Sequence, residues 1–383
     1  MTRRVVLSVV GNRPQYIKAA VASRAVRSVA HEVLLDTGQH HDHLLAGAFY
    51  DELDLPRADI ELGVGSGSHA VQTSAMLTGI ADAITDLAPA VVLVYGDTNS
   101  TLAGALAAAK LNVPVAHVEA GLRSYDRRMP EEVNRVLTDH LASLLFCPTD
   151  AAVANLGREG VVEGVVQTGD VMFDLARRSL TPERERAALT RFGLEPGRYV
   201  LATVHRQATA DDPAALRAVL EALSESGETV VLPLHPRTAA SIARFGLGDA
   251  PGPGVRLVDP VGHAEALALA RNARVVATDS GGLQKEAYFF AVPCVTLRDT
   301  SEWVETLTSG WNVLAGTDRE AVTAALRDPP AGYDHPDFYG TGDAGDRIAA
   351  ALGAWLECTD ADGGAGRAGL DETMTKHGKD GPT

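Results

Sequence analysis

Short runs of consecutive apolar residues punctuate this chain, and each is followed by a polar or glycine-bearing turn and then a helical stripe. Val5 to Val10 opens the series, and GNRPQYIK (11–18) leads from it into a helix reaching about Val29. A strand over 32–37 comes next. From residue 74 the alternation is regular: a helix (74–88), a strand from Ala90 to Tyr95, a helix (99–111), a strand from Val113 to Val118, a helix (131–144) and a strand from Leu144 to Cys147. After 165–170 the rhythm restarts, with strands near 198–204, 228–234, 255–259, 274–278 and 293–297. Uninterrupted apolar strands belong to parallel sheets covered on both faces. Two successive series of this kind predict an α/β protein of two Rossmann-like, doubly wound domains, 1–170 and 171–358. A helix from Gly345 to Cys358 is expected to close the second domain, and 359–383, rich in Gly, Asp and Thr, reads as a disordered tail.

Composition narrows the partners. The 383 residues exceed one ordinary core, and 45% hydrophobic against 22% charged residues leaves ample material for burial. A formal charge of −16 argues against nucleic acid or an anionic membrane, which need basic surface. It leaves room for an anionic small molecule met locally by a few Arg, Lys and helix N-termini. Cys147, Cys294 and Cys358 have no paired spacing, which fits reduced thiols in a cytoplasmic protein. No apolar run approaches the ~20 residues of a membrane span, and the opening strand is too short for a signal peptide.

In open α/β sheets ligands sit beyond the carboxyl ends of the strands, so polar residues there carry most weight. TDSGGLQKEA (278–287) reads strand, turn, helix: Ser280 can cap, Gly281 and Gly282 let a ligand approach the backbone, and the first helical N–H groups point outward. Glu286, one turn on, can accept from a ribose diol, so a nucleotide diphosphate is the natural guest. Arg13 and Lys18 sit where the first strand meets its helix. Asp97 ends a strand in YGDTNST, Glu119 in HVEAGLRS, His205 in TVHRQ and His235 in HPRT, while Glu131 opens a helix in MPEEVNR. Each has a plainer reading: Asp97 as a helix cap, Glu131 as a partner of Arg135, His235 as a satisfied loop histidine. The loop TGQHHDH (37–43) invites a metal, but with no second ligand cluster it is read as hydrogen-bonding, with no metal expected. GVGSGS (63–68), lacking an apolar strand before it, is read as a flexible loop.

Seven motifs in order, GNRPQYIK, YGDTNST, HVEAGLRS, RMPEEVNR, TVHRQ, HPRT and TDSGGLQKEA, give residues 4–355 a resemblance to the UDP-N-acetylglucosamine 2-epimerase family. That resemblance implies a glycosyltransferase-B-like architecture with a cleft between the domains, a homodimer, a UDP-sugar substrate and no cofactor. It makes Asp97, Glu119, Glu131 and His205 the acid and base candidates. Arg13, Lys18, Arg206, His235, Arg237, Ser280, Gly281, Gly282 and Glu286 become substrate contacts, His205 and Arg206 facing the leaving diphosphate. The implied chemistry is anti elimination of UDP to a 2-acetamidoglucal, then re-addition with a proton delivered to the other face of C2.

The sequence departs from the family in places. GNRPQY stands where many bacterial members have Gly-Thr-Arg-Pro-Glu-Ala, so Gln15 and Tyr16 replace a carboxylate and a small residue, and regulation by a second substrate molecule is in question. Ala266 lies near where some relatives carry an aromatic residue. The block 284–305 resembles members acting on UDP-2,3-diacetamido uronic acids, where Lys285 and Arg298 could serve a sugar carboxylate; a solvated surface charge is the plainer reading of Lys285. A diacetamido-uronate epimerase, a hydrolysing epimerase and a UDP-sugar glycosyltransferase are the alternatives.

Overall fold

The computed structural model describes residues 3–39, 50, 55–332 and 334–361. Among them are two parallel sheets. The first runs β3-β2-β1-β4-β5-β6-β7, from β1 (Val5–Val10), β2 (His31–Asp36), β3 (Ile60–Glu61), β4 (Val91–Tyr95), β5 (Val115–Val118), β6 (Leu144–Cys147) and β7 (Val165–Gln167). The second runs β10-β9-β8-β11-β12-β13, from β8 (Val200–Thr203), β9 (Val230–Pro233), β10 (Val255–Val258), β11 (Val275–Thr278), β12 (Cys294–Thr296) and β13 (Asn312–Leu314). Strand order reverses direction once in each sheet, between β1 and β4 and between β8 and β11. Those reversals are the switch points at which an open α/β sheet leaves a crevice for a ligand.

The apolar runs became strands because both faces of each sheet are covered. All five residues of β4 are fully buried, and sequestering each such Val or Leu side chain contributes ~1.5–3 kcal/mol. The cover over β1 and β4 is the helix Asn99–Lys110, rich in Ala, which can lie close because Gly104 has no side chain; a Cβ there would stand 2.9 Å from Val94 Cγ1. A capping box between Thr98 and Thr101 starts this helix. In the second sheet, Val200, Ala202, Val230, Leu232, Val275, Ala277 and Val295 share one core with Leu216, Val219, Leu220 and Leu223 of the helix Pro213–Glu225.

Among the described residues, those of Met1–Leu175 and Phe338–Thr383 form one compact unit and those of Ala176–Asp337 another. The last helix, Ala344–Ala361, therefore departs from its expected place with the second domain: it packs on the helix Arg13–Val29 of the first unit. The Asp174 carboxylate caps it, accepting from Ala344 N at 3.1 Å and Gly345 N at 2.9 Å, and Gly345 lets it approach Val21. It also runs past the expected end at Cys358; residues 362–383 lie outside the described residues, as do His40, His41, Asp42 and His43 of the histidine-rich loop. GVGSGS follows the short strand β3, and its first residues are tied back to the β2 end, Val64 N to Thr37 O at 2.9 Å and Gly65 N to Gly38 O at 2.9 Å. No helix among the described residues is long and apolar enough to cross a membrane.

Candidate active site

The first unit brings its candidate residues to the ends of β1, β4 and β5. Gly11, just past β1, is required by close approach, since a Cβ would lie 2.0 Å from Thr37 Oγ1 and 2.4 Å from Ser100 Oγ. Asn12 then caps the helix Arg13–Val29, accepting from Gln15 N at 3.2 Å. Arg13 opens that helix on the surface, and Lys18, a turn and a half later, reaches the carboxylate Oε2 of Glu119 in an ion pair whose side chains are 12% and 9% exposed. The pair lies over Gly96: a Cβ at that residue would stand 2.7 Å from Lys18 Nζ and 3.4 Å from Glu119 Oε2, and its φ of 63° is one that glycine adopts readily. Glu119 is itself in the left-handed region, φ 71°, which costs a non-glycine residue ~1–3 kcal/mol and is characteristic of functional positions.

Asp97 follows Gly96 directly. The cap of the next helix is Thr98, so Asp97 does not take the capping role; its Oδ2 is bound by Arg135 Nη2 instead. Arg135 also donates to Glu132 Oε2 at 3.1 Å, so it joins Asp97 and Glu132 rather than the expected Glu131. The two glutamates of MPEEVNR divide the work. Glu132, 1% exposed, accepts from Ser124 N at 2.9 Å, Ser124 Oγ at 3.0 Å and Tyr125 N at 3.0 Å, fixing the loop after β5. Glu131 stands exposed in the first turn of the helix Pro130–Leu141. Its neighbour's burial follows a helical stripe, 132, 135, 136 and 139, which the sequence already carried.

The departures Gln15 and Tyr16 are internal ties. Gln15, fully buried, donates to Tyr95 O at 2.9 Å and Thr101 Oγ1 at 3.0 Å, binding the first helix to the β4 end. Tyr16 donates to Asp36 Oδ2 at 2.8 Å, and burial together with the Asp36 charge pushes its hydroxyl above the ordinary tyrosine range.

The second unit builds its site at the β8–β11 switch point. His205 and Asp279 follow neighbouring strands whose last residues, Thr203 and Thr278, are in register. His205 Nδ1 lies 3.1 Å from Asp279 Oδ1, and Asp279 Oδ2 accepts from His205 N and Arg206 N at 2.8 Å each. Burial opposes ionisation of Asp279, but His205 and the two backbone donors outweigh it and hold the carboxyl below its ordinary range. Asp279 thus anchors the backbone of His205 and Arg206 and keeps its charge beside the imidazole. The His235 ring is 5.5 Å from that of His205, and His235 caps the helix Pro236–Phe245, its Nδ1 accepting from Arg237 N at 3.2 Å. Arg237 itself extends to Asp211 at 3.0 Å, in a pair 43% and 36% exposed.

Ser280 caps the helix Gly281–Phe289, accepting from Leu283 N at 3.4 Å. A Cβ on Gly281 would meet only ordinary contacts, 3.7 Å each from Arg206 Nη2, Glu302 Oε2 and Trp303 Nε1, and one on Gly282 nothing nearer than 3.9 Å. Protein packing therefore does not demand either glycine; their small size leaves a recess at the helix N-terminus, where N–H groups and the dipole favour an anion. Arg206 and Arg298 flank Glu302, at 3.8 and 3.1 Å. Burial opposes the charge on Glu302, yet the two arginines hold it below the ordinary carboxylate range. Lys285 is a correction: it is 2% exposed, with Nζ 4.4 Å above the Trp303 ring. Glu286, 6% exposed, is held by His263 Nε2 at 3.2 Å. Among the described residues no group of three or more His, Cys, Asp or Glu is placed to hold a metal.

Sequence reasoning missed Asp279, Glu302 and His263 as partners of residues it chose, and it paired Arg135 with Glu131 rather than with Asp97 and Glu132. Asp279 and Arg135 both lie inside motifs already singled out.

Comparison with known proteins places this geometry. The sequence profile described as UDP-N-acetylglucosamine 2-epimerase matches residues 24–353. A relative from Methanococcus maripaludis named as a UDP-N-acetylglucosamine 2-epimerase homolog is 44% identical over 352 residues, 91% of this chain and 99% of the relative. The UDP-2,3-diacetamido-2,3-dideoxy-D-glucuronate 2-epimerase of Pseudomonas aeruginosa is 45% identical over 362 residues, again 91% and 99%. The crystal structure of UDP-GlcNAc 2-epimerase from Methanocaldococcus jannaschii, in complex with UDP-GlcNAc and UDP, superposes with a TM-score of 0.80 at 37% identity, covering 91% of this chain and 99% of that one. A profile spanning most of the chain, full-length relatives and two sheets each reversing at a residue-rich switch point agree: the chain is an isomerase of the UDP-N-acetylglucosamine 2-epimerase family.

Proposed function

We propose that the chain interconverts UDP-N-acetylglucosamine and UDP-N-acetylmannosamine by anti elimination and re-addition of UDP. The observation that carries this reading is the pairing of Asp97 with Arg135 and of Glu119 with Lys18 at adjacent strand ends, Glu119 lying over the glycine that precedes Asp97. A hexose C2–H beside an acetamido group is not acidic, and no carbonyl adjoins it. Departure of the diphosphate from C1 builds positive charge there and loosens that hydrogen. One carboxylate takes the proton from C2 as the C1–O bond breaks, giving enzyme-bound UDP and 2-acetamidoglucal. A second acid then protonates C2 from the opposite face while the diphosphate oxygen returns to C1.

That cycle needs one carboxyl group as base and a second as acid, and the neighbouring cations Lys18 and Arg135 hold the Glu119 and Asp97 side chains in place. Asp97, Glu119 and the exposed Glu131 are the candidates. The leaving diphosphate is assigned to the second unit, where the helix N-terminus at Ser280, Gly281 and Gly282, with Arg206 and His205, supplies donors to developing negative charge. Glu286 is assigned to the ribose hydroxyls. His235, after β9 in the second unit, and Arg13, after β1 in the first, are assigned secondary contacts.

The P. aeruginosa relative favours a second reading, in which the sugar is a 2,3-diacetamido uronate. Against it, Arg298 is held by Glu302 and Lys285 is buried with its Nζ over the Trp303 ring, which leaves neither as an evident receptor for a sugar carboxylate. Offering each UDP-sugar separately and identifying products by proton NMR tests both. The first reading expects UDP-N-acetylmannosamine from UDP-N-acetylglucosamine and the same mixture from either side. Turnover of the uronate alone would replace it with the second, and free sugar plus UDP as the main products would make the enzyme hydrolysing.

A further inference from the structure

Beneath the Asp97 and Glu119 loops lies a buried pair that the proposed reaction does not use directly. His117, in β5, and Asp139, in the helix Pro130–Leu141, are both fully buried. His117 Nε2 lies 2.7 Å from the carbonyl oxygen of Gly96, the residue before Asp97. Its Nδ1 lies 2.7 Å from Asp139 Oδ1. Asp139 Oδ2 accepts from the backbone N of Gly121, two residues past Glu119, at 3.1 Å, and from Arg123 Nη1 at 2.6 Å. Arg123 in turn donates to Glu159 at 2.7 and 2.8 Å. One imidazole and one carboxyl therefore join the loop carrying Asp97 to the loop carrying Glu119.

The geometry points to His117 and Asp139 as positioning residues that set where the Asp97 and Glu119 carboxylates stand with respect to each other. This rests on the epimerase reading above. A carbonyl oxygen only accepts, so Nε2 must carry a proton. The same ring must also meet Asp139 on its other side, and imidazole is the side chain that presents nitrogens in two directions from a rigid plane. Glu119 occupies a left-handed backbone conformation, which persists only where its surroundings over-determine it. The Gly121 N–H bond to Asp139 is one such constraint, alongside the Glu119 and Ala120 N–H contacts to Phe146 O at 3.1 Å. In a reaction that addresses C2 from both faces, a slack spacing between the two carboxylates would slow reprotonation and let the intermediate escape.

Two substitutions test this. In His117→Gln the two ring nitrogens, on opposite sides, are replaced by one amide nitrogen, which can reach Gly96 O or Asp139 but not both. In Asp139→Asn the amide N–H donates to Nδ1 of a neutral ring while the amide oxygen still accepts from Gly121 and Arg123, so both loops stay joined. Expected for H117Q is a kcat lowered ~10–100-fold with KM little changed, because misplacement near 1 Å has that scale of effect. UDP affinity should stay at the wild-type value, and release of UDP with 2-acetamidoglucal per epimerisation should rise. Expected for D139N is a kcat within ~3-fold of wild type and an unchanged release ratio. A purely structural role lowers the melting temperature and leaves kcat and the release ratio of the folded enzyme alone; that result in H117Q overturns the inference. So does a D139N enzyme as impaired as H117Q. Should H117Q fail to fold, Asp139→Leu takes its place, since it removes the acceptor shared by His117 and Gly121: a similar fall in kcat with a raised release ratio supports the proposal, and a wild-type kcat and release ratio in the folded enzyme overturn it. If the wild-type enzyme epimerises no UDP-sugar, the functional reading fails instead.

Discussion

At the β1–β4 switch point the first unit gathers carboxylates, each beside a cation: Glu119 with Lys18, Asp97 with Arg135. At the β8–β11 switch point the second unit gathers donors: a capped helix N-terminus, Arg206, and a histidine fixed by Asp279. Topologically the two places are equivalent, since both lie where strand order reverses. Both pair carboxylates with cations, but only the second adds a capped helix N-terminus without side chains at its first two positions, and in the proposed reaction one moves a proton while the other receives an anion. Sheet topology thus chooses where the crevice falls, and the few residues after each strand choose what it does.

The largest expected effect separates these roles. Glu119→Gln should lower kcat by ~10²–10⁴-fold, the usual contribution of a general base or acid, while UDP binding measured by calorimetry stays within about twofold. Loss of UDP affinity together with turnover would mean that the first unit also anchors the nucleotide. The converse substitution, Gly281→Ala, should weaken UDP by about tenfold, or ~1.4 kcal/mol, by filling the recess at the helix N-terminus. Because the added methyl meets only ordinary contacts, the melting temperature should hold or rise slightly. An unchanged Kd would move the diphosphate elsewhere.

A smaller effect concerns acid stability. Hydrogen bonds from Arg123 come first among the causes that bring the Glu159 carboxyl down to about 2, below its usual 4.5. A folded value below the unfolded one adds stability that is complete above the unfolded value and is lost as pH falls toward the folded one. Between about pH 5 and about pH 2 the wild-type melting temperature should therefore fall more steeply than that of Glu159→Gln. Equal slopes would remove this pair from the account. Smallest of all, Arg237→Ala removes an exposed ion pair and should change stability by less than ~0.5 kcal/mol. A large loss of UDP affinity in that variant would place Arg237 among the anchoring residues.

The legible parts of the fold were those that local pattern decides. β4 reads from sequence because an uninterrupted apolar run between two helical stripes points to a covered strand, whereas β3, two residues long, and β13, three residues long, carry no pattern of their own. The place of the last helix depends on Asp174, distant in sequence, so local reading attached it to the wrong unit. At the site, strand ends located Asp97, Glu119 and His205. Their partners were not legible, because Lys18 meets Glu119 across a separation of 101 residues and His205 meets Asp279 only once β8 and β11 align. Buried Glu132 was within reach of helical periodicity, and its neighbour Glu131 drew the attention instead.

Solvent isotope incorporation tests the central claim most directly. With UDP-N-acetylglucosamine as sole substrate in heavy water, the account predicts that deuterium enters C2 of both the product and the recovered substrate pool, read by NMR and mass spectrometry, at a rate no slower than epimerisation. Epimerised sugar that keeps its original hydrogen at C2 would contradict it.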